Sequence, residues 1–441
     1  MKPLLLLPFL LFLLIGCSEK QKISVAPATK GITANIDWYN SSEIEFTIST
    51  PQQLAGLAKL VNGGNNFKGK TIKLSANIVL NDTANWQWWT VTPPENEWIP
   101  IGEFIFDDEN FDYIKKERFN GTFDGNGFIV SGIYINNPDS KTGWYQGLFG
   151  FIGSEGTVKN LGISASYIKG YFYVGGLVGG NRGTIINSYS TNCEVEGTDN
   201  VIGGFVGENF GKIDNSHSTC AVKGQGAVGG FVGSNGDKDT LSIISNSYSI
   251  GNVWGWNFVG GFVGINGYGS INESFSISHV TGTEIKGSYG GSIGGFVGSN
   301  SNGTISNSYS TGAVIGKNGI IPGFGGFAGS NSEGRINNSY SIGMVDLAGC
   351  FDDFGKQRKN CYVGGLVGVN GLSPKPAGKI SGSYYNRETS HQNDKGKGAS
   401  KTTAQMKQKN TFVNWDFNKI WSISSEINNG YPHLLENKGQ Q

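Results

Sequence analysis

A short glycine-rich, apolar segment returns through the middle of the chain at intervals of 26 to 39 residues. The copies are VGGLVG at 174–179, IGGFVG at 202–207, VGGFVG at 228–233 and 259–264, IGGFVG at 293–298, FGGFAG at 324–329 and VGGLVG at 363–368, preceded by QGLFG at 146–150. Self-similarity at a period of roughly 20–50 residues is the signature of a repeat architecture. The pattern predicts one elongated domain rather than several globular ones.

A second repeated position lies in the strand-like segment that follows each glycine motif. It always holds a β-branched residue, and the members are Val158, Ile185, Ile213, Ile244, Ile271, Ile305, Ile336 and Ile380. An unbroken column of β-branched residues predicts a buried core stripe. Each repeat then closes with another short strand, such as CAVKG at 220–224. About three strands per repeat, with no helix between them, predict an all-β chain stacked as a parallel β-helix, or solenoid.

Polar and aromatic side chains repeat at fixed offsets from this apolar column. Two places after it stand Asn160, Asn187, Asn215, Asn246, Glu273, Asn307, Asn338 and Gly382. A serine column follows, and beside it runs an aromatic column of Tyr189, His217, Tyr248, Phe275, Tyr309, Tyr340 and Tyr384. Stacked asparagines can hydrogen-bond amide to amide, so we expect the asparagine column to form a ladder along the solenoid axis.

The two ends of a solenoid require different sequences, because an uncovered end exposes apolar side chains and strand edges. At the N-terminal end, Thr50 is a good N-cap, Pro51 suits the first helical position and Gln53 completes a capping box. Apolar residues then follow at helical spacing until Gly63, which predicts a short capping helix. The repeat stops after Tyr385. The residues predicted to form a closing aromatic cap are Trp415, Phe417, Trp421, Tyr431 and Leu434.

The first residues form a hydrophobic leader. Lys2 precedes the apolar run LLLLPFLLFLLI, which is too short to span a bilayer comfortably and stands where a secretory signal belongs. The following Leu14-Ile15-Gly16-Cys17 resembles a bacterial lipobox. That resemblance implies that Cys17 is acylated and becomes the first residue of the mature chain. We therefore expect a lipoprotein anchored in the cell envelope, at the outer membrane or surface of a Gram-negative bacterium.

These patterns divide the chain into five parts. They are a lipoprotein signal peptide at 1–16, a flexible tether at 17–40, an N-terminal cap with the first coils and a tryptophan-rich loop at 41–145, the repeats at 146–385, and a C-terminal linker and cap at 386–441. Charge is balanced, with 34 Lys and Arg against 34 Asp and Glu, so nothing in the composition favours nucleic acid as a partner.

A long excursion separates the predicted strands at 71–80 and 119–135. The candidate ligand residues that it carries are Trp86, Trp88, Trp89, Trp98, Asp107 and Asp108. Long loops on rigid scaffolds often carry function, and aromatic rings beside carboxylates are what a sugar-binding face would use. Alternatively, the tryptophans form a hydrophobic lid over the N-terminal end, and we favour the lid.

Four cysteines remain after Cys17. Cys350 and Cys361 bracket a polar insertion and are candidates for a disulfide at its base in an oxidising envelope. Cys193 and Cys220 occupy matching places in successive repeats. They either bond or serve as small turn residues, and we favour the second interpretation. No cysteine spacing resembles a zinc site, and we expect neither metal nor cofactor.

The sequence offers no catalytic pattern. The histidines are His217, His279, His391 and His433, and none stands in an HExxH motif. The acids of the repeats stand at different positions within the repeat, so no pair of acids is repeatedly aligned from coil to coil. A glycoside hydrolase needs two carboxyl groups that flank the bond to be cleaved. The acids of the repeats are Glu194, Glu196, Asp199, Glu208, Asp214, Glu273 and Glu284. Glu273 interrupts the asparagine column, where we expect a solvent-facing turn residue.

The repeats GGLVGGNRGTIINSYS at 175–190 and GGFVGSNSNGTISNSYSTGAVIG at 294–316 resemble the GLUG motif. This motif recurs in bacterial surface proteins, including some filamentous adhesins and immunoglobulin A-cleaving metallopeptidases. The flanking FNGTFDGNGFIVSGIYI at 119–135 and INNGYPHL at 427–434 are also similar to segments beside those repeats. The resemblance implies a right-handed β-helix at the cell envelope, but no single activity. Peptidase chemistry does not transfer, because the zinc motif is missing.

Three hypotheses follow for function. The first is a non-catalytic envelope lipoprotein whose rod is a scaffold for adhesion or protein interaction. The second is a glycan-binding module that uses the tryptophan loop. The third is a carbohydrate-active β-helix enzyme. We favour the first, with the membrane as a partner through lipidated Cys17 and a surface glycan or protein as the candidate ligand.

We predict that Cys17→Ser abolishes acylation and releases the protein from the membrane fraction, because the thiol that would carry the lipid is removed. Labelling with a fatty acid, followed by membrane fractionation, measures both effects, and Cys350→Ser is the matched control. Label incorporated into the Cys17→Ser variant contradicts the lipobox.

Overall fold

Each repeat folds into one coil of a parallel β-solenoid. The computed structural model describes residues 29–107, 112–283, 291–316, 323–346, 361–371 and 374–436. A representative coil consists of the strands Thr184–Ile186, Tyr189–Gly197, Asn200–Gly203 and Val206–Asn209. Strands at the same position of successive coils pair in parallel, which confirms the predicted fold class. The coil has four strands rather than about three, because each glycine motif contributes two.

The described strands form four long sheets, numbered 1 to 4 in the order in which the chain visits them. Sheet 1 contains Glu45–Ile48, Thr71–Leu74, Thr122–Asp124, Thr157–Lys159, Thr184–Ile186, Lys212–Asp214, Ile243–Ser245, Ser270–Asn272, Thr304–Ser306, Arg335–Asn337 and Lys379–Ser381. Sheet 2 contains Ile78–Val79, Ile129–Ser131, Tyr134–Asn137, Gly162–Gly170, Tyr189–Gly197, His217–Ser218, Ala221–Lys223, Tyr248–Ser249, Asn252–Gly255, Phe275–Ser276, His279–Gly282, Tyr309–Ser310, Val314–Gly316, Tyr340–Ser341, Val345–Asp346, Tyr384–Asn386 and Ala399–Lys401.

The two strands of each glycine motif belong to sheets 3 and 4. Sheet 3 contains Trp144–Gln146, Phe172–Gly175, Asn200–Gly203, Gly226–Gly229, Asn257–Gly260, Ser292–Gly294, Gly323–Gly325 and Tyr362–Gly364. Sheet 4 contains Phe149–Ile152, Val178–Asn181, Val206–Asn209, Val232–Asn235, Val263–Gly267, Val297–Ser301, Ala328–Ser332 and Val367–Asn370.

Smaller elements lie at the ends and sides of the stack. The antiparallel pairs are Thr29–Lys30 with Glu97–Trp98, Phe104–Asp107 with Asp112–Lys116, and Trp421–Ile423 with Pro432–Leu434. The α-helices are Pro51–Asn62, Arg387–Ser390 and Thr403–Met406. Single 3-10 turns span Trp86–Trp88, Lys409–Thr411 and Asn428–Gly430.

The β-branched column runs through the core in register. Ile185 is the direct partner of Val158 on one side and of Ile213 on the other. Every member from Val158 to Ile336 is fully buried, while Ile380 on the last strand of sheet 1 is half-buried. Burial of one such side chain contributes roughly 1.5–3 kcal/mol, so the column supplies a large part of the stability of the stack.

The doubled glycines allow sheets 3 and 4 to lie directly against each other. A Cβ placed on Gly179 of sheet 4 would lie 2.5 Å from Cα of Tyr145 in sheet 3. A Cβ on Gly203 would overlap the carbonyl oxygen of Val206. Real Cβ atoms do not approach backbone this closely, so only glycine fits at these places.

The predicted asparagine column forms the corner between sheets 1 and 2, and its backbone is left-handed. Asn187 has φ of 50°, and Glu273 at the same place has 48°. Asparagine and glycine tolerate this conformation better than other residues, which explains the column more fully than amide bonding does. Only part of it hydrogen-bonds amide to amide in the described chain, with Asn215 donating to Asn187 at 2.7 Å and Asn187 to Asn160 at 3.2 Å.

A continuous asparagine ladder lies instead at the ends of the sheet 4 strands. Its members are Asn181, Asn209, Asn235, Asn266, Asn300, Asn331 and Asn370. Each of the first six donates from its side-chain amide to the next, at 2.8 Å for the first five bonds, and those six side chains are fully buried. Buried polar groups persist when they are hydrogen-bonded, so this ladder fixes the register of sheet 4 inside the core.

The N-terminal helix begins after the predicted N-cap Thr50, but the return bond of Gln53 reaches the amide of Ser49 rather than that of Thr50, so the capping box is incomplete. The hydroxyl of Thr50 accepts from the Gln53 amide at 3.3 Å, and Gln53 Oε1 accepts from the Ser49 amide at 2.8 Å. The helix buries Leu54, Leu57, Ala58 and Val61 against the first coils.

The C-terminal aromatic residues cover the side of the solenoid rather than its end. Trp415, Trp421 and Tyr431 pack on the aromatic column, whose rings stack at 4.6 to 5.1 Å from Tyr189 to Tyr340. At the end itself, Leu366 and Tyr385 of the last coil are fully buried, and polar contacts cover the strand edges. Lys397 Nζ donates to the carbonyl oxygens of Val363 and Gly368, and Asp394 accepts from the Gly365 amide. These bonds satisfy edge groups that would otherwise pair with another chain.

Cys193 and Cys220 form a disulfide, with their Cα atoms 4.6 Å apart. The favoured interpretation of these residues as unbonded turn residues was therefore wrong. The register of sheet 2 places the two cysteines on adjacent coils, so their thiols meet without a long loop. Cys350 lies outside the described residues, so its pairing with Cys361 stays a prediction.

We predict that Ile244→Asp destabilises the solenoid by more than about 4 kcal/mol, because it places an unpaired charge in a fully buried column. Thermal unfolding followed by circular dichroism measures the effect. Ile243→Asp is the matched control, since Ile243 faces outward beside Lys212 of the preceding coil. Equal unfolding temperatures for the wild type and Ile244→Asp contradict the role given to this column.

Candidate functional site

The tryptophan loop lies on the outer face of the first strands of sheet 2. Trp89 is buried and meets Tyr134 edge to face at 5.9 Å, and Tyr134 stacks on Tyr167 at 6.0 Å. Trp86 packs half-buried against the same group. Trp98 is buried in the core, where its indole donates to the Leu148 carbonyl at 3.1 Å. These three tryptophans hold the excursion against the solenoid.

Trp88 is the tryptophan of this loop that faces solvent, with 66% of its surface exposed. It borders an open hollow of about 730 Å³ that Asp82, Pro93 and Glu95 also line. Asp82 caps the turn by accepting from the Ala84 amide at 3.0 Å. Asp107 ends a strand, and its side chain lies outside the described residues, as does the whole of Asp108. Their role as ligand residues stays a prediction.

The hairpin formed by Phe104–Asp107 and Asp112–Lys116 carries an aromatic cluster. Phe104 stacks on Phe151 at 4.7 Å, and Tyr145 stacks on Tyr173 of the next coil at 4.5 Å. Tyr113 reaches the same cluster from the second strand. The Tyr145 ring packs against Gly180 of the next coil. It fits because Gly180 has no side chain, since a Cβ on Gly180 would lie 2.8 Å from Tyr145 Cε1. Glycine in one coil thus makes room for an aromatic ring from the coil before.

Glu208 lies beside this cluster. It is the register partner of Gly180 and of Ser234, and only 9% of its surface is exposed. Burial raises the pKa of Glu208 to about 8, with the nearby Asp237 adding to the rise and Arg182 opposing it. A carboxyl group with a pKa near neutrality is a candidate for proton transfer.

The tyrosines around Glu208 are also perturbed. Burial raises the pKa of Tyr145, Tyr173 and Tyr113, and the negative charge of Glu208 adds to each rise. All three therefore stay protonated at physiological pH and can act as hydrogen-bond donors or acceptors.

The other predicted acids do not gather at one place. Glu194 is paired with Lys223, and Glu196 with Lys169 at 2.8 Å. Glu273 accepts from the side-chain amide of Asn272 at 2.7 Å and occupies the left-handed corner. Glu284 lies outside the described residues. Within the part of the chain that the structure covers, no group of three or more His, Cys, Asp or Glu residues is placed to hold a metal ion.

His217 is held within the aromatic column. It stacks between Tyr189 at 5.1 Å and Tyr248 at 4.6 Å. Burial lowers the pKa of His217 to about 4, so the ring is neutral at physiological pH and behaves as one more aromatic ring.

Two features were not singled out by reasoning from the sequence. The buried asparagine ladder was present as a repeated asparagine in GGN, GEN, GSN, GIN and GVN, immediately after the glycine motif. Glu208 appeared only as one acid among several. Its position within the repeat would have distinguished Glu208, because the equivalent residues of the neighbouring coils are the small Gly180 and Ser234.

The GLUG motif matches three segments of the chain, at residues 170–196, 224–253 and 289–315. Each segment covers one complete glycine motif, at 174–179, 228–233 and 293–298. The repeats recognised in the sequence are thus confirmed as GLUG repeats.

Two curated proteins are similar in sequence. A protein of Evansella cellulosilytica described as a "Putative Gly-rich membrane protein" is 35% identical over 360 residues, covering 76% of this chain and 39% of that protein. Halomucin of Haloquadratum walsbyi is 30% identical over 157 residues, covering 35% of this chain and 2% of Halomucin. The chain therefore spans well under half the length of either relative.

Two solved structures are similar in shape. One is described as a "putative immunoglobulin A1 protease" from Bacteroides ovatus, with a TM-score of 0.48, 16% identity and coverage of 90% of this chain and 94% of the other. The second, described as "IgA1 Protease", has a TM-score of 0.41, 17% identity and coverage of 76% of this chain and 21% of the other. At these identities the likeness concerns the fold alone.

We predict that the contribution of Glu208 to stability falls as pH rises from about 4.3, the ordinary glutamate value, to about 8, the pKa of Glu208 in the folded protein. The measured quantity is the difference in stability between the wild type and Glu208→Gln, because the buried His217 titrates in the same range and contributes equally to both proteins. In this window the folded state keeps a proton that the unfolded chain releases, so rising pH favours unfolding. Each unit of pKa difference corresponds to roughly 1.4 kcal/mol. Glu208→Gln, which is neutral at every pH, should lose this slope and be more stable than the wild type at pH 9.

Chemical denaturation at a series of pH values measures the slope for both proteins. Glu45→Gln is the control, because Glu45 is an exposed carboxylate paired with Lys73 and should keep the wild-type slope. Parallel profiles for the wild type and Glu208→Gln contradict the assigned burial of an uncharged Glu208.

Proposed function

We propose that this GLUG-repeat β-solenoid is a non-catalytic scaffold of the bacterial cell envelope, which displays loops for adhesion or for binding a protein partner. Acylated Cys17 would anchor it through the tether at 17–40. Among the described residues, no helix combines the length and apolar character needed to cross a bilayer. The similarity to a Gly-rich membrane protein supports a membrane-associated location.

The distribution of connection lengths around the coil carries this proposal. From Thr157 onward, every connection from sheet 1 to sheet 2 has two residues, such as 187–188. Every connection from sheet 3 to sheet 4 also has two, such as 176–177. The connections from sheet 2 to sheet 3 differ widely. They occupy 138–143, 171, 198–199, 224–225, 256, 283–291, 317–322 and 347–361.

The strands that flank these variable connections are in register, so the connections begin and end along one edge of the solenoid. We call this the variable edge. The sheet 4 to sheet 1 corner also has longer connections, at 236–242 and 371–378, but the two longest connections between the four sheets from Thr157 onward lie at the variable edge. Insertions concentrated on one face of a repeat protein often mark its binding face, because the scaffold tolerates changes there without losing its core. The three longest successive connections, at 283–291, 317–322 and 347–361, are the proposed contact region.

The absence of catalysis is part of the proposal. Glu208 is the acid with the most favourable pKa for proton transfer, but it is largely buried behind aromatic side chains. A reacting group must lie within hydrogen-bond reach of its acid or base, and a buried carboxyl restricts that approach. The proposal therefore treats Glu208 as part of the fold.

A glycan-binding role is the second candidate, and the exposure of Trp88 favours it. An exposed indole beside Asp82 and Glu95 offers an apolar face with nearby hydrogen-bond acceptors. The glycan hypothesis therefore rests on Trp88 alone, because the other three tryptophans of the loop pack against the solenoid.

One experiment separates these functions. Cells expressing the full chain would be tested for attachment to a panel of immobilised surface proteins and glycans. In the test variant, the connections 283–291, 317–322 and 347–361 are shortened to the two-residue form found at 198–199. In the control variant, the connection 236–242 between sheets 4 and 1 is shortened to the form found at 210–211. Antibody binding measures the amount of each protein at the surface.

We expect attachment to fall at least about tenfold in the test variant and to persist in the control. Attachment that survives the test variant at equal surface level contradicts binding by the variable edge. Loss in Trp88→Ala, with the loop variants unaffected, would favour glycan binding at the hollow instead. Release of sugar products from a polysaccharide panel, abolished by Glu208→Gln, would contradict the non-catalytic proposal.

A further inference from the structure

A second concave site lies at the N-terminal end of the variable edge, apart from the Trp88 hollow. It is a cavity of about 480 Å³ between the segment 97–104 and the segment 135–146. Trp98, Phe104, Ile135 and Trp144 provide its apolar walls. This volume lies within the range of small-molecule sites, which are typically apolar with a few placed polar groups.

Gln146 supplies a polar group in this cavity that the fold leaves unused. Its side chain is 4% exposed, and its amide nitrogen donates to the carbonyl oxygens of Thr142 at 3.2 Å and Trp144 at 2.9 Å. No described residue donates a hydrogen bond to its Oε1. Oε1 is therefore an acceptor that is open to the cavity rather than sealed in the core, and a ligand hydroxyl in the cavity would donate to it.

The charges around the cavity exclude an anionic ligand. The ionisable carboxylates among its described lining residues are Glu97 and Glu103, and no lysine or arginine of the described chain lines it. Glu103 is already neutralised by Lys115 at 2.5 Å. Glu97 accepts from the Asn136 amide at 3.4 Å. A phosphate, a sulfate or a uronic acid would therefore meet two carboxylates, with no lysine or arginine among the described lining residues to bind it.

The walls of the cavity are rigid. Trp144 is held between Phe106 at 4.8 Å and Phe172 at 4.9 Å, with both rings nearly parallel to the indole. The faces of Trp144 are thereby covered, and a ligand would meet the edge of its ring. Side chains that are already fixed lose little conformational entropy when a ligand binds, so a small ligand can be held by few contacts.

We propose that this cavity binds one neutral hexopyranose unit, the ring of an uncharged sugar. The carbon–hydrogen face of the ring would lie on the apolar walls, and one hydroxyl would donate to Gln146 Oε1. Carboxylate oxygens of Glu97 and Glu103 would accept from further hydroxyls at the rim. The site differs from the Trp88 hollow and does not depend on what the longer connections of the variable edge bind.

The test uses the full chain and free methyl glycosides of glucose, galactose and mannose, with binding measured by isothermal titration and by ligand-observed NMR. Gln146→Met keeps the side-chain length but removes the acceptor. Thr142→Trp fills the cavity from an exposed position on its rim. Trp88→Ala is the matched control, because it alters the hollow and leaves the cavity intact. Thermal unfolding verifies that each variant is folded.

We expect at least one glycoside to bind the wild type and Trp88→Ala equally, and to bind Gln146→Met and Thr142→Trp at least about tenfold more weakly, which corresponds to one decade in Kd. If Gln146→Met fails to fold, Thr142→Trp decides the result. Binding that Trp88→Ala abolishes assigns the sugar to the hollow and overturns the proposal. Preferential binding of glucuronate or n-butylammonium over the neutral glycosides overturns the ligand class, and no binding of any glycoside overturns the site.

Discussion

In-register parallel pairing between successive coils is the constraint on which the rest of the structure depends. It brings identical side chains together along the axis, so an isoleucine in one coil is buried by the isoleucines of its neighbours. The same register turns single asparagines into the buried ladder from Asn181 to Asn370. Either column would be unsatisfied in one isolated coil. The repeats therefore stabilise each other, as expected for a solenoid whose units contact mainly their nearest neighbours.

Close approach of sheets 3 and 4 explains why the glycine motif varies so little. A side chain at Gly179 or Gly203 would collide with backbone of the facing sheet, and the two-residue connection between these sheets has no freedom to adjust. The connections from sheet 2 to sheet 3 carry no such constraint. Length variation is tolerated there because the flanking strands keep their register whatever the length of the connection between them. This difference between fixed and variable corners is the physical basis of the proposal that a partner binds at one edge.

The residues with candidate chemical roles lie where the repeat is interrupted. Glu208 occupies a slot that is glycine in the preceding coil and serine in the next, and Tyr145 fills the space that Gly180 leaves open. The cavity beside Gln146 lies at the N-terminal end of the stack, where residues of the segment 97–104 and of the segment 135–146 line it together. A strictly repeated sequence would close such sites, since each coil would cover its neighbour in the same way. The candidate sites of this protein therefore lie where the repeat is irregular, while the regular coils provide a rigid support.

The sequence by itself determined the solenoid, its buried β-branched column, its stacked aromatic column and the capping helix at Thr50, because each is encoded by spacing within one repeat or one turn of helix. It did not determine which asparagine column is the continuous ladder, that Cys193 bonds to Cys220, that the C-terminal aromatic residues cover the side of the stack, or that Glu208 is buried. The tryptophans were similarly ambiguous, and three of the four support the fold while Trp88 faces solvent. These outcomes depend on contacts between segments far apart in the chain. Only the tertiary structure decides them, because the offset between coils and the path of each terminal segment set which side chains meet.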